Sequence, residues 1–406
     1  MRNKWTAILT AVLFLTSVAF AASTETVLYN FTGGNDGGYP PSGVISDQSG
    51  NLYGVAWGGS TDNGVVYELS PGSSGWTENV LYTFTGASDQ GLPMCRLAFD
   101  KTGNLYGTTT GGTSGLGTVF ELSPNSGGWT YNTIYTFQGG NDGSLPDSGV
   151  IIDKKGNLYG TTQEGGGTGC SPYPGCGTVY ELIPGSGGWT EKVIYSFSGR
   201  DGQSPSAALI ADKSGNFYGT TYYGGSGYTG GGTGGGTVFK LYSSHSAWKA
   251  TVLHSFSKAN DGANSYTPVV FDKTGNLYGA TMNGGSSGNG IVFQLTPNGK
   301  TWQETILHTF SDGNDGANPH DDILVLDAKG NIYGTTKKGG TIGWGVVFKL
   351  KPVSGKWRLT ALYNFTGGSD GLEPVGGVFR DKSGNLYGTT FSGGSDFAGV
   401  VFEVTP

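Results

Sequence analysis

Asp147, Glu164, Asp321 and Asp322, with His320 beside them, stand at positions the surrounding sequence pattern does not account for. Two carboxyl groups facing one glycosidic bond, about 5 to 9.5 Å apart, could serve as an acid–base or acid–nucleophile pair. These four acids are therefore the catalytic candidates if the chain is an enzyme. No serine, cysteine or histidine nucleophile motif accompanies them, and nothing in their spacing fixes a separation. Aromatic residues out of step with the pattern offer a second chemistry. Trp57, Trp344, Phe391 and Phe397 form one expected group, and Tyr222, Tyr223 and Tyr228 another, with Tyr173 nearby. Flat exposed rings stack on sugar rings or anchor a partner protein; the plainer role is to pack glycine-rich loops. Arg96, Tyr266 and His320 complete the candidate ligand-binding set.

The elements that must position these groups come from a repeat. Gly-Asn-Leu-Tyr-Gly, or a one-residue variant, occurs seven times, with asparagines 51, 104, 157, 216, 276, 331 and 385. A period near fifty with many aromatic and β-branched residues marks a circular or stacked array. Each repeat contains a short apolar strand (a), a tight Asp-x-x-Gly turn, an alternating strand (b), a glycine-rich loop, a strand of the type Gly-Thr-Val-Tyr-Glu-Leu (c), and a strand opening on tryptophan (d). No segment has helical periodicity. The expected fold is all-β: a seven-bladed β-propeller with four antiparallel strands per blade. The chain opens on a d strand, Thr26 to Phe31, and ends on a c strand, Gly399 to Val404. The first strand is thus expected to complete the last blade and close the ring, removing free sheet edges.

In such a ring the d-to-a and b-to-c connections share one face, here termed the loop face, and the short uniform turns share the other. The unassigned acids all fall on the loop face. With the seven Asp-Gly aspartates (36, 89, 142, 201, 261, 315 and 370) they give it fifteen carboxylates against five bases, Arg96, Arg200, Lys258, Lys337 and Lys338. That excess would attract cationic groups, or simply keep loops soluble. Trp57 and Trp344 lie outside the six tryptophans that open strand d, and blade order 6-7-1 would bring them to one side with Phe391 and Phe397. Arg96, Asp147, Tyr266 and His320-Asp321-Asp322 break a run of small residues where strand a begins, at the expected channel mouth. His254 and His308 replace the strand-d tyrosine and count as substitutions within the repeat.

Composition narrows the classes. Glycine supplies 77 of 406 residues and charged residues only 13%, against about 25% typical. A net charge of −7 and no basic cluster argue against nucleic acid or an anionic membrane as partner. Residues 1–21 read as a secretory signal: Arg2 and Lys4, the apolar run Ala7 to Ala19, and Ala19-Phe20-Ala21 as cleavage site. That run is too short to span a membrane. Residues 22–406 are expected to form a single propeller domain, exported and monomeric. Cys170 and Cys176 flank an insertion found in one repeat and are expected to pair in an oxidising compartment, two free thiols being the alternative. Cys95 has no evident partner. No cofactor is expected; clustered oxygens leave a calcium site open, but the repeated Asn-Asp-Gly reads better as a turn than as a calcium loop.

The combination Asp-x-x-Gly-Asn-Leu-Tyr-Gly-Thr-Thr, then Gly-Gly, then Gly-x-Val-Phe-Glu-Leu, as in Asp100 to Thr109 and Gly117 to Leu122, resembles the GloVer (Gloeo/Verruco, "choice-of-anchor") tandem-repeat family of secreted bacterial proteins. More loosely it is similar to NHL and gluconolactonase-type propeller repeats. The resemblance implies export and surface display, and brings no catalytic residues. Family members often carry a C-terminal anchoring segment; here Pro406 directly follows the last strand, so the resemblance does not extend to an anchor. The preferred reading is a secreted binding module for a glycan or extracellular protein. The alternatives are a carbohydrate-active hydrolase or lyase, and a structural envelope or matrix protein.

Overall fold

The computed structural model describes residues 23–111, 115–167, 169–245, 247–258, 260–320 and 323–406. The leader expected at 1–21 lies outside these residues, as do Asp321 and Asp322. The described residues form 28 strands in seven sheets of four, each ordered a-b-c-d from the axis outward. In six blades the strands are consecutive. In the seventh, Thr24–Asn30 pairs antiparallel with Val400–Thr405, from Thr24 opposite Thr405 to Asn30 opposite Val400. The ring is closed by its own first strand, as the offset ends of the sequence require.

Physical roles can be assigned along the repeat motif. Strand a is only two or three residues long, because the innermost strands converge on the axis. The Asp of the following turn is a cage. In blade 4, Asp212 accepts hydrogen bonds from the Ser214 and Asn216 amides, the Asn216 side chain and the Tyr218 hydroxyl, at 2.7 to 3.1 Å. Asp-x-x-Gly-Asn-Leu-Tyr is thus one hydrogen-bonded unit that turns strand a into strand b. The glycine after this tyrosine is steric. It pairs with the large strand-c aromatic, and a Cβ on Gly54 would stand 2.3 Å from the Tyr67 hydroxyl and one on Gly107 2.4 Å from Phe120. The first threonine ties blades together, as when Thr108 donates to Ser148 O (3.1 Å) and Thr389 to Ser42 O (2.9 Å).

The core lies between blades. The phenylalanine ending each d strand is buried and meets the next blade's strand-c aromatic edge to face. Phe31–Tyr67, Phe84–Phe120 and Phe137–Tyr180 have centroids 5.1 to 5.3 Å apart, and the pattern continues to Phe365–Phe402. Edge-to-face pairs of this kind add roughly 0.5–1.5 kcal/mol each beyond burial. Seven equivalent seams make the ring one cooperative unit.

Candidate functional site

Two residues per blade fix the loop face. The first precedes strand a: Tyr39, Leu92, Leu145, Ser204, Asn264, Asn318 and Glu373 all hold left-handed backbone, φ 51 to 58°. Each amide donates to a carbonyl in the preceding blade's b-to-c loop at 2.6 to 3.0 Å. A left-handed non-glycine residue costs about 1 kcal/mol or more. Recurrence of the same stitch in all seven blades assigns that strain to holding the loops. In six blades a proline follows, and it packs on the glycine that opens the preceding blade's strand c. Gly117 has φ 93°, and a Cβ there would meet Pro146 at 2.3 Å.

The second residue is the first past strand b: Trp57, Thr110, Gln163, Tyr222, Met282, Lys337 and Phe391. In six of these the amide donates to the left-handed residue of the same blade at 3.0 to 3.1 Å. Seven topologically equivalent positions, six of them held by this bond, therefore carry seven different side chains around the axis. The fold fixes the place of this residue without fixing its type.

The mouth they surround is shallow. The central cavity has about 60 Å³, lined by Ser42, Arg96, Asp147, Ser206, Tyr266 and Gly376 among others. That volume holds a few waters and no sugar ring. Neighbouring strand-a backbones leave no room: a Cβ on Gly43 would lie 2.1 Å from Gly376 O. Arg96 lies across this space and donates to Val44 O at 2.9 Å, and burial lowers its pKa to about 10. The Asp147 carboxylate accepts a hydrogen bond from the Gln163 side chain.

Two aromatic arcs lie to either side of the mouth, and of their members only Tyr266 lines the central cavity. On blades 7 and 1, Phe391 meets Trp57 edge-on (centroids 5.3 Å) and Tyr39 at 5.7 Å, while the Trp57 indole donates to Pro93 O at 3.1 Å. Tyr39 is 40% exposed and is the new member. The second arc is longer. Tyr173–Tyr223 (6.3 Å), Tyr223–Tyr222 (4.6 Å), Tyr222–Tyr266 (4.4 Å) and Tyr266–His320 (4.7 Å) form an unbroken series from the blade 3 insertion to the channel. Blade order sets the two arcs on roughly opposite sides. The second unites residues that the sequence assigns separately to a tyrosine group and to the channel.

Other expectations fare differently. Trp344 and Phe397 make no ring contact with the Trp57–Phe391 pair. Trp344 lies over Gly367, whose Cβ would be 2.7 Å from the indole nitrogen, and Phe397 is 65% exposed. The four-membered patch drawn from blade order thus divides. Tyr228 serves packing: its ring covers Gly199 and its hydroxyl donates to Gly169 O at 2.5 Å, clamping the loop stapled by the Cys170–Cys176 disulfide. The Asp-Gly aspartates sit on the outer rim, where six bond strand-d tyrosines or His308, as in Tyr82–Asp89 at 2.9 Å. They belong to the blade seams and do not line the central cavity. Around the mouth the charges are local: Lys337 pairs with Glu373 at 3.5 Å, and burial raises the Glu164 pKa.

A closed seven-bladed propeller whose variable residues ring a shallow, aromatic-flanked mouth is the class these features define. The chain belongs to the Gloeobacter/Verrucomicrobia repeat family, whose pattern matches residues 14–231, 131–323 and 227–406. No curated protein matches the sequence. Among solved structures, a fungal alcohol oxidase of the AA5 family in complex with copper is similar at TM-score 0.56 and 14% identity, over 90% of this chain and 74% of that one. A protein from Lactobacillus plantarum matches at 0.51 and 14%, over 79% and 83% of the two chains. A putative 6-phosphogluconolactonase from Bacteroides uniformis matches at 0.50 and 13%, over 79% and 84%. At these identities the likeness is one of fold alone. No helix among the described residues is long and apolar enough to cross a membrane.

Proposed function

We propose that the protein is an exported binding module that takes an extracellular glycan across the mouth of its loop face. The observation that carries this reading is the pair of aromatic arcs, Tyr39–Phe391–Trp57 and Tyr173–Tyr223–Tyr222–Tyr266–His320, to either side of a cavity too small to admit a ligand. Rings at the rim and polar groups between them suit a surface-bound sugar chain, because stacking supplies affinity while Gln163, Asp147, Lys337 and Glu373 offer hydrogen bonds. A leader-like N-terminal sequence and the Cys170–Cys176 bond support export to an oxidising compartment.

The test is a glycan array followed by calorimetry on the best ligand, with assay for released reducing ends. Binding without product, weakened about tenfold or more by Tyr222→Ala or Trp57→Ala, is expected; one lost stacking contact of roughly 1.4 kcal/mol gives that factor. Absence of binding to every glycan, or affinity indifferent to both substitutions, would overturn the reading. Product formation abolished by Asp147→Asn would instead favour a carbohydrate-active enzyme.

A further inference from the structure

The outer rim repeats one polar cluster at every blade junction. Its parts are the Asp-Gly aspartate, a tyrosine or histidine from the strand d before it, and one residue of strand d in the next blade. In five junctions a tyrosine hydroxyl bonds the aspartate, as in Tyr29–Asp36 (3.0 Å) and Tyr363–Asp370 (2.9 Å). Between blades 5 and 6 the His308 Nε2 bonds Asp315 at 2.9 Å, and the residue across is Leu359. The junction of blades 4 and 5 differs from all of these. His254 Nε2 stands 3.6 Å from Asp261 Oδ2 and 3.7 Å from Glu304 Oε1, beyond hydrogen-bond range. His254 Nε2 is a buried atom without a partner, unlike the tyrosine or histidine at each other junction; Glu304 Oε1 is also buried and unpartnered, as are its counterparts Glu25, Glu78 and Glu191. The three ligand-type atoms lie within 4.8 Å of one another.

We propose that His254, Asp261 and Glu304 bind one divalent transition-metal ion, zinc by the chemistry of the set, with water as fourth ligand. Zinc takes nitrogen at about 2.0–2.1 Å and carboxylate oxygen at about 2.0–2.2 Å in a tetrahedron, which sets neighbouring ligand atoms about 3.4 Å apart. The separations of 3.6 and 3.7 Å match that spacing and do not match a hydrogen bond. The Asp261 carboxylate is oriented by its own loop. Its Oδ1 accepts from the Ser257 hydroxyl at 2.6 Å, and the Ser257 amide is shared between Oδ1 at 3.1 Å and Oδ2 at 3.2 Å, so that Oδ2 keeps a lone pair for the side of the imidazole. Side-chain exposures of 18, 25 and 13% for His254, Asp261 and Glu304 leave a narrow opening for water. Two carboxylates and a neutral imidazole balance a dication, and imidazole favours zinc over calcium. The ion would bridge the d strands of adjacent blades and tighten one seam of the ring. This inference is independent of the glycan reading.

The experiment titrates Zn²⁺, and Co²⁺ as a spectroscopic probe, into tag-free, chelator-treated full-length protein. One equivalent is expected to bind, with the visible absorption of four-coordinate Co²⁺ and a rise in Tm. His254→Tyr supplies the residue used at five other junctions, so it should fold and lose the metal. Glu304→Gln should weaken binding at least tenfold, and His308→Tyr should leave it unchanged. Absence of stoichiometric binding in the parent protein, or binding that survives His254→Tyr, would overturn the proposal.

Discussion

The two faces of this disc are built from the same seven repeats, yet they treat them oppositely. On the turn face the aspartate cage recurs seven times, with Asp47, Asp100, Asp153, Asp212, Asp272, Asp327 and Asp381 each accepting from the asparagine amide four residues on, at 2.8 to 3.0 Å. On the loop face an equally regular backbone carries Trp57, Thr110, Gln163, Tyr222, Met282, Lys337 and Phe391 at one equivalent position. Uniform side chains on a uniform backbone mean that the residue makes the fold. Varied side chains on a uniform backbone mean that the fold does not depend on the residue, which leaves it open to another purpose. In a repeat protein this internal comparison substitutes for an alignment.

The largest expected effect tests the uniform side. Asp212→Ala removes the acceptor of four hydrogen bonds. Burial alone would raise this carboxyl, but the Asn216, Ser214 and Tyr218 donors outweigh it and hold the group below the usual carboxylate range. A loss of about 2–4 kcal/mol in denaturant unfolding is expected, with glycan affinity unchanged in protein that remains folded. Loss below about 0.5 kcal/mol would break the comparison, since uniformity would then mark something other than stability.

The blade seams, uniform in plan and varied in detail, make the intermediate case. Burial, then the charge of a neighbouring aspartate, pushes Glu25, Glu78 and Glu191 up to about 7. Between about pH 4.5 and 7 the folded chain retains protons that the unfolded chain has released. Stability should therefore fall as pH rises through that window and level off above it. Discounted for the partial exposure of these groups, the fall is on the order of 1 kcal/mol. Glu304 is pushed up to about 7 in the same way, so a Glu25→Gln, Glu78→Gln, Glu191→Gln triple variant should reduce the fall and leave Glu304's share, as read from unfolding midpoints at pH 5 and 7.5. An unchanged slope would show that these carboxyls are not the source.

Within the core the uniform rule has two exceptions. Tyr67 and Tyr180 stand where the other five blades have phenylalanine, and both hydroxyls are buried without a partner. Leaving a polar group unpaired costs roughly 1–3 kcal/mol, part of which the deletion of the hydroxyl restores. Tyr67→Phe and Tyr180→Phe should each stabilise by about 1 kcal/mol in thermal or denaturant unfolding. Destabilisation by either would show that the hydroxyl does have a use at its seam.

What could be read from the sequence divides along the same lines. The blade number, the strand order and the closure of Thr24–Asn30 onto Val400–Thr405 follow from recurring motifs and from where the copies start and stop. Motif spacing carries no radial coordinate, so the Asp-Gly aspartates could be assigned to a face but not to its outer rim. The Tyr222–Tyr266 contact joins residues 44 apart through a two-residue strand a, too short for alternation to reveal which side chains face the axis. Tyr39 is hidden differently. Its signal is the residue-before-proline position shared by six blades, which shows a common place in the loop only once the repeats are overlaid. His254 is legible as a replacement for tyrosine, but whether an imidazole reaches its aspartate, as His308 does, depends on tenths of an ångström.

The smallest effect on stability should accompany the largest on binding, and it is the direct counterpart of the cage mutation. Trp57→Thr gives blade 1 the residue that blade 2 carries at the equivalent position, Thr110, where the same strand-to-loop transition accepts it. The indole donates to Pro93 O and meets Phe391, and both contacts lie at the rim outside the inter-blade core. A stability change of no more than about 1 kcal/mol is expected, alongside a glycan affinity reduced about tenfold or more. If Trp57→Thr instead costs as much as Asp212→Ala, the arc on blades 7 and 1 is packing, and only the tyrosine arc would remain as a binding wall. If it costs neither stability nor affinity, variation at this position is drift, and the distinction between the two faces loses its functional meaning.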